Sequence, residues 1–373
     1  MKLNGCDFAV IGAGLVGATI ARSLASGGLR VIVLDEGDLA SRASRGNFAL
    51  VWVQGKGSDM PRYAEWTCQS VTLWREFCAE IAAETGLDVG YQRPGGFHLA
   101  LSERELEYLG ATRHVGRQSG TTPYPPCEIM SASEVRSRLP HVGAEVVGGS
   151  YCPLDGHVNA LRLFRAVHQA MFVHGVDYRP NCRVTEIEFD GAFRLRLGDA
   201  GTIKADRVLL AAGLDNARLA PMVGLAAPVR SQRGQILVTE KTLPFHHFPL
   251  ATVRQTDEGS VLVGDSQEEV GLEGPVTTGI ASVMASRAMQ MFPSLSKLKI
   301  VRWWDCARVL SPDGYPIYDH SQSHPGAFLA TCHSGVTLAA AHAKLLAPAI
   351  LNGKLPEQFA AFSSRRFDVR THC

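Results

Sequence analysis

The chain has 373 residues, 46% of them hydrophobic and 20% charged, with a formal net charge of +1. This length allows two or more lobes with separate cores, and the near-zero charge excludes electrostatic capture of nucleic acid or of an anionic membrane as the main activity. Nine cysteines without one C-x-x-C pair point to neither a zinc site nor an iron–sulfur cluster within the chain; they read as small buried side chains in a reducing compartment, the cytoplasm.

The N-terminal run MKLNGCDFAVIGAGLVGATIARSLA has the outline of a signal peptide, but Asp7 precedes its apolar stretch, Arg22 follows closely and its glycines have another use. DFAVIG is expected as a buried parallel strand and LVGATIARSLASGG as a helix closing on glycine. Between them IGAGLVG, residues 11–17, reads as a dinucleotide loop. Gly12 permits the tight turn, Gly14 lets a pyrophosphate approach the backbone, and Gly17 lets helix and strand pack closely. The helix N-terminus offers free N–H groups and a positive dipole end to the phosphates. LRVIVLD is a second buried strand ending at Asp35, eighteen residues beyond Gly17. Asp35, with Glu36 beside it, is placed to accept hydrogen bonds from an adenosine ribose and argues against NADP. The loop alone leaves NAD and FAD open.

The next stretch, DEGDLASRASRGNFALVWVQGKG, is a long polar loop where a simple NAD domain would enter another helix. Here the chain resembles the glycine oxidase/D-amino-acid oxidase (DAO) family of FAD enzymes. In that family a Ser/Arg/Asn-bearing loop lies along the FAD pyrophosphate and ribityl chain. Ser44 and Asn47 take the matching positions, and Arg42 and Arg45 are candidates for neutralising phosphate. Further on, CRVTEIEFDGAFRLRLGDAGTIKADRVLLAAG looks like two hairpins followed by a buried strand ending at Gly213; the family position of Val184 contacts the adenine through its backbone. RVLSPDGYPIYDH matches a recurrent family turn, and FLATCHSGVTLAAAHAKLLAPAILNG reads as a strand, a turn with Gly335, and a helix stopping at Asn352-Gly353. That helix is too short and too polar, with His342 and Lys344, to span a bilayer. A helix N-terminus aimed at the flavin N1/O2 edge would stabilise negative charge there, which makes His333, Gly335, Val336 and Thr337 cofactor candidates. The resemblance runs from residue 7 to about 353 and implies non-covalent FAD.

It also implies the architecture: an α/β (α+β) fold in which a Rossmann-like FAD-binding domain (1–90, 145–225 and 305–373) is interleaved with an antiparallel-sheet substrate domain (91–144 and 226–304). In the substrate domain, GGFHLAL is a candidate strand, and two capping boxes, Ser102-x-x-Glu105 and Ser131-x-x-Glu134, open helices, the second ended by Pro140. VRSQRGQILVTE and LATVRQTDEGSVLVGDSQ read as strands, the latter a hairpin around Asp257-Glu258-Gly259. TTGIASVMASRAMQMFP is a helix with Val283, Ala288, Met291 and Phe292 expected in the core. Asn159 reads as an N-cap, and His157 has no assigned role.

The family oxidises a carbon bearing an amine by hydride transfer to flavin N5, with the protein positioning the substrate and excluding water. A substrate carboxylate calls for a guanidinium fork, and Arg308 stands where glycine-oxidase-like members place theirs; pairing with Asp305 or Asp313 is the structural alternative. Cys306 falls where monomeric sarcosine oxidases attach FAD covalently, but the flanking sequence differs and a small buried cysteine is expected. Leu262 stands where those oxidases carry an oxygen-activating lysine, which hints at a dehydrogenase. Within the family the chain is most similar to the B (β) subunits of octopine and nopaline oxidases and of heteromeric D-hydroxyproline dehydrogenases. The implied function is oxidation of a secondary amino acid at its C–N bond. The implied setting is a hetero-oligomer whose catalytic β component works with partners carrying a second flavin or nucleotide site and an iron–sulfur cluster, with no nucleic acid and no stable membrane insertion. The alternatives are a stand-alone oxidase releasing hydrogen peroxide and a structural flavoprotein subunit. An opine pocket needs extra charged residues, for which Arg230, Arg233 and Arg254 are available.

Overall fold

The computed structural model describes residues 5–37, 43–118, 126–264, 266–270 and 277–368. Strand β1 (Cys6–Ile11), helix α1 (Leu15–Ser26) and strand β2 (Val31–Leu34) form the first unit. β1 lies between β2 and the strand Thr202–Leu210, and Ala327–Thr331 lies beyond that, all parallel. Asp177–Arg179 extends the parallel set past β2, and Ile317–His320 closes the other edge antiparallel.

At its centre both faces of this sheet are buried, which is why Phe8–Ile11, β2 and Val208–Leu210 are apolar at every position rather than at alternate ones. Phe8 and Val10 join α1 in one core, whereas Ala9 and Ile11 join Val184, Leu195 and Leu219 in another. The expected two hairpins are a single meander. Glu186–Phe189 pairs with Phe193–Arg196, which pairs with Thr202–Leu210, and this last strand is itself the buried parallel strand. It stops at Leu210, and Gly213, at φ 62°, opens a short 3-10 turn.

A second sheet is antiparallel, in the order Val253–Gln255, Ser260–Val263, Arg230–Lys241, Ile300–Leu310. The last strand lies wholly in this sheet, so the position 305 falls inside one continuous element. A third sheet joins Gly96–Ala100, Gly148–Cys152 and Glu128–Ser131. The helix Thr278–Met291 packs on the antiparallel sheet through Met284, Ala288 and Met291. Val283, expected in that core, is exposed: it stands one position off the i, i+4, i+7 stripe that faces the sheet. Ala288, Met291 and Phe292 are buried as expected.

The Ser131 box is complete, with Ser131 and Glu134 each accepting the other's backbone N–H. At Ser102 the hydroxyl accepts from Glu105 N–H at 3.3 Å, but the Glu105 carboxylate reaches Leu101 N–H at 2.9 Å rather than that of Ser102. The C-terminal helical run, residues 339–351, contains a π turn at His342–Leu346 just before Pro348, which has no N–H to continue the regular ladder. Asn352 and Gly353, the latter at φ 82°, end it. Helix α2 (Pro61–Thr85) holds the start of this run: Ser70 Oγ and Trp74 Nε1 donate to the Thr337 carbonyl at 2.7 and 2.9 Å. Among the described residues no helix is long and apolar enough to cross a membrane.

Candidate active site

The glycine loop is packed too closely for any side chain at two of its three glycines. Gly12 sits at φ 105°, and a Cβ there would strike the Ala211 backbone; a Cβ at Gly17 would strike the Gly12 carbonyl. Gly14 is the N-cap of α1, and a Cβ there would approach only Ser44 Oγ. The Ser44 hydroxyl accepts from Leu15 N–H at 2.9 Å, covering the first turn of the helix from the side of the loop. Asp35 accepts from Ala13 N–H at 2.7 Å and from Gly37 N–H at 2.9 Å, so its carboxylate braces the loop while still facing the cavity.

That cavity, about 650 Å³, runs as one volume past most of the residues expected to hold a cofactor. Gly12, Gly14, Asp35, Glu36, Ser44, Arg45, Asn47, Val184, Gly213, His333, Gly335 and Val336 all line it. Asn47 shapes its own turn, its side-chain oxygen accepting from Ala49 N–H at 2.5 Å. Gly17 lies behind the loop, and Thr337 bonds Leu50 O and Trp52 N–H at 3.2 Å each instead of facing the cavity. Arg42 is outside the described residues.

Strand Ile300–Leu310 carries two sets of side chains. Ala307 and Val309 line the cavity. Cys306 and Arg308 point to the opposite face, where their cross-strand partners are Gly234 and Gln232. The Arg308 guanidinium lies over Gly234, where a Cβ would come within 2.7 Å of its Cζ. It donates to Ser266 O at 2.5 Å and to Gln232 Oε1 at 3.4 Å. The alternative partner Asp313 is held by Arg366 at 2.7 and 3.0 Å. Cys306 Sγ donates to Gly46 O at 3.2 Å, and burial pushes its thiol up from its ordinary pKa, as fits a packed cysteine and non-covalent FAD.

The DAO family model, FAD dependent oxidoreductase, matches residues 7–349. The chain belongs to this family. An opine oxidase subunit from Agrobacterium tumefaciens (strain Ach5) is 49% identical to it over 98% of both chains. The corresponding opine oxidase subunit from Rhizobium meliloti is 45% identical, again over 98% of both. The crystal structure of glycine oxidase from Geobacillus kaustophilus superposes with a TM-score of 0.88 at 24% identity, covering 96% of this chain and 98% of that one, and shows the same fold.

FAD is therefore the cofactor of this DAO-family oxidoreductase, and the cavity fits it: a side-chain-free glycine turn at a helix N-terminus, an acidic pair beyond β2, and the turn at His333, Gly335 and Val336 all line one volume. Two residues of the site carry no sequence motif. Lys56, between Gly55 at φ 73° and Gly57 at φ 71°, donates to Ser334 Oγ at 3.1 Å. Tyr63 OH also donates to Ser334 Oγ, at 2.9 Å, and His333 Nδ1 lies 3.3 Å from it. Desolvation in the cavity wall, with Lys56 and Arg308 adding to it, pushes His333 down to about 3, so the imidazole is neutral. The Gly-Lys-Gly run is the one available signal for Lys56, since glycine on both sides admits the left-handed turns of the loop that carries it to Ser334.

The second is Asp155, fully buried, which accepts from Val53 N–H at 2.6 Å and Gln54 Nε2 at 2.5 Å and so pins the loop that carries Lys56. Burial pushes its carboxyl up to about 7, against the N–H donors that favour the anion. With the folded pKa raised, the folded chain keeps a proton between about pH 4 and about pH 7 that the unfolded chain has released, so this contribution to stability falls as pH rises through that window. Thermal denaturation from about pH 5 to about pH 8 should therefore show wild type losing stability more steeply than Asp155→Asn. Parallel profiles would show that Asp155 does not titrate there.

The arginines available for an opine pocket separate cleanly. Arg230 pairs with Glu269, and Arg233 forms a buried pair with Glu268 at 2.8 Å. Arg254 donates to Phe48 O at 2.9 Å and lies 3.4 Å from His157 Nδ1; burial pushes its guanidinium down to about 10 and the His157 imidazole down to about 3. Leu262, the cross-strand partner of Arg254, is buried hydrocarbon. Asn159 caps the helix Ala160–Val173, accepting from Arg162 N–H at 3.1 Å.

Proposed function

We propose that this chain oxidises the C–N bond of a secondary amino acid, of the opine or of the D-hydroxyproline/D-proline type, as the catalytic subunit of a hetero-oligomer. The carrying observation is Arg308, a guanidinium on the strand whose neighbouring residues Ala307 and Val309 line the cofactor cavity, held in place by Ser266 O and Gln232 Oε1. Bound FAD supplies the two-electron acceptor. Arg308 takes the substrate carboxylate and so fixes the adjoining C–H and N–H relative to the cofactor. His333 stays neutral and adds no further positive charge. Loss of hydride and of the amine proton leaves an imine; water then adds to its carbon, splitting an open-chain opine into an amine and a carbonyl acid, while a cyclic substrate leaves a pyrroline carboxylate. Near-full-length identity to proteins named as opine oxidase subunits supports both the substrate type and an assembly with other chains. We assign to those chains the onward electron path through a second flavin or nucleotide site and an iron–sulfur cluster, in the cytoplasm.

The test is the anaerobic visible spectrum of the FAD-loaded protein before and after adding octopine, nopaline, D-hydroxyproline, D-proline or sarcosine. Bleaching of the yellow bands by one of them is the expected result. Bands that none of these compounds bleaches would remove the catalytic reading, and fast reoxidation by air after bleaching would point to a stand-alone oxidase instead.

A further inference from the structure

The loop after β2 brings Ser44, Arg45 and Asn47 to the cofactor cavity. Two positions further on, Ala49 sits at φ 68°, in the left-handed region although it is not a glycine. That region disfavours an alanine by about 5- to 30-fold, so the turn has to be held. Three hydrogen bonds hold it. Asn47 Oδ1 accepts from Ala49 N–H at 2.5 Å, Ala49 O accepts from Val158 N–H at 3.1 Å, and Phe48 O accepts from Arg254 Nε at 2.9 Å. The last of these reaches across from the antiparallel sheet. We propose that Arg254 is a positioning residue for FAD, its guanidinium holding the Phe48–Ala49 peptide in the left-handed turn that follows Ser44, Arg45 and Asn47 and so fixing those three residues against the cofactor.

Three features support the assignment. The first is where the guanidinium spends its bonds. Arg254 is buried, and the carboxylates that act on it, Asp257 and Glu258, are themselves bridged by Arg162 at 2.7 Å each. Burying a cation without its own carboxylate is costly, and an apolar side chain such as its cross-strand neighbour Leu262 carries no such cost. The second is its reach to both sides of Ala49. One end donates to Phe48 O; at the other, Nη1 lies 3.4 Å from His157 Nδ1, which accepts because a guanidinium has only donors. His157 is in turn the cross-strand partner of Leu50. The third is delivery. Arg162, on the helix Ala160–Val173, takes the tip of the hairpin that carries Arg254 through Asp257 and Glu258, and Asn159 adds a bond to Glu258 at 3.5 Å. The Phe48 ring is packed by the same sheet: a Cβ at Gly264 would come within 2.8 Å of it, and Arg254 Cζ stands 6.0 Å from its centroid.

The experiment is a double-mutant cycle read by FAD affinity, with no substrate present. Dissociation constants come from equilibrium dilution of the FAD-loaded protein, followed by the fluorescence of released flavin, for wild type, Arg254→Met, Ala49→Gly and the double variant. Arg254→Met should weaken FAD binding by about 5- to 30-fold, the preference that the guanidinium holds in check. Ala49→Gly alone should change it by less than about threefold, because glycine adopts the same turn without help. In the double variant the loss should largely disappear, a coupling that a side chain acting only by filling space would not produce. Arg254→Gln, which keeps a side-chain N–H without the charge, should fall between Arg254→Met and wild type, and it replaces Arg254→Met in the cycle if that variant is insoluble. An affinity within about twofold of wild type in the Arg254 variant would overturn the assignment. So would a loss that stays the same size when Ala49→Gly is added, since the guanidinium would then act through something other than this turn.

Discussion

Replacing Arg308 with methionine should lower kcat/KM for the secondary amino acid by about two to three orders of magnitude, because it removes a charged fork from a carboxylate that no longer has bulk water to solvate it. FAD content should be retained: the cavity-lining residues on this strand are Ala307 and Val309, and the Arg308 side chain is on the other face. Arg308→Lys should recover only part of the loss, since an ammonium keeps the charge but gives up the planar two-donor geometry. Steady-state kinetics against two substrates decides the point. If Arg308→Met loses activity only in proportion to its FAD, the guanidinium holds the sheet to Ser266 and Gln232 and does not hold the substrate.

The other large effect is at the glycine loop. Gly17→Ala should destabilise the fold by about 3 kcal/mol or more and yield protein without FAD, because the added methyl meets the rigid Gly12 carbonyl rather than a side chain that can swing away. Gly14→Ala should be milder for folding, since its methyl approaches only the Ser44 hydroxyl at 3.2 Å, but it should weaken FAD binding by crowding the helix N-terminus. Paired measurements of melting temperature and of bound flavin separate the two cases. If Gly17→Ala kept wild-type stability, the close crossing of α1 over β1 would have room that the structure does not show.

Much of the fold is legible in the sequence because its signals are local. The glycines, the apolar run of β2 and the Ser131 box each declare themselves within a few residues. The failures have a common physical cause. Val283 and Met284 are adjacent in sequence and equally apolar, and only the direction from which the sheet approaches decides which is buried. Arg230, Arg233 and Arg254 cannot be ranked as pocket residues until strand register shows which of them meet glutamates. Lys56 is separated from Ser334 by most of the chain, so no window of sequence contains the pair. Thr337 has the place in sequence of a cofactor contact; its side chain instead ties the turn to the backbone of Leu50 and Trp52.

Strand Ile300–Leu310 gives a different set of side chains to each face of its sheet. Because side chains alternate across a strand, the same few residues present Ala307 and Val309 to the cofactor cavity and turn Cys306 and Arg308 to the opposite face. Substitution can therefore change the side chains of one face while the other is left alone. A change of length cannot, because inserting or deleting one residue would exchange the two sets and turn a guanidinium into the cofactor's space.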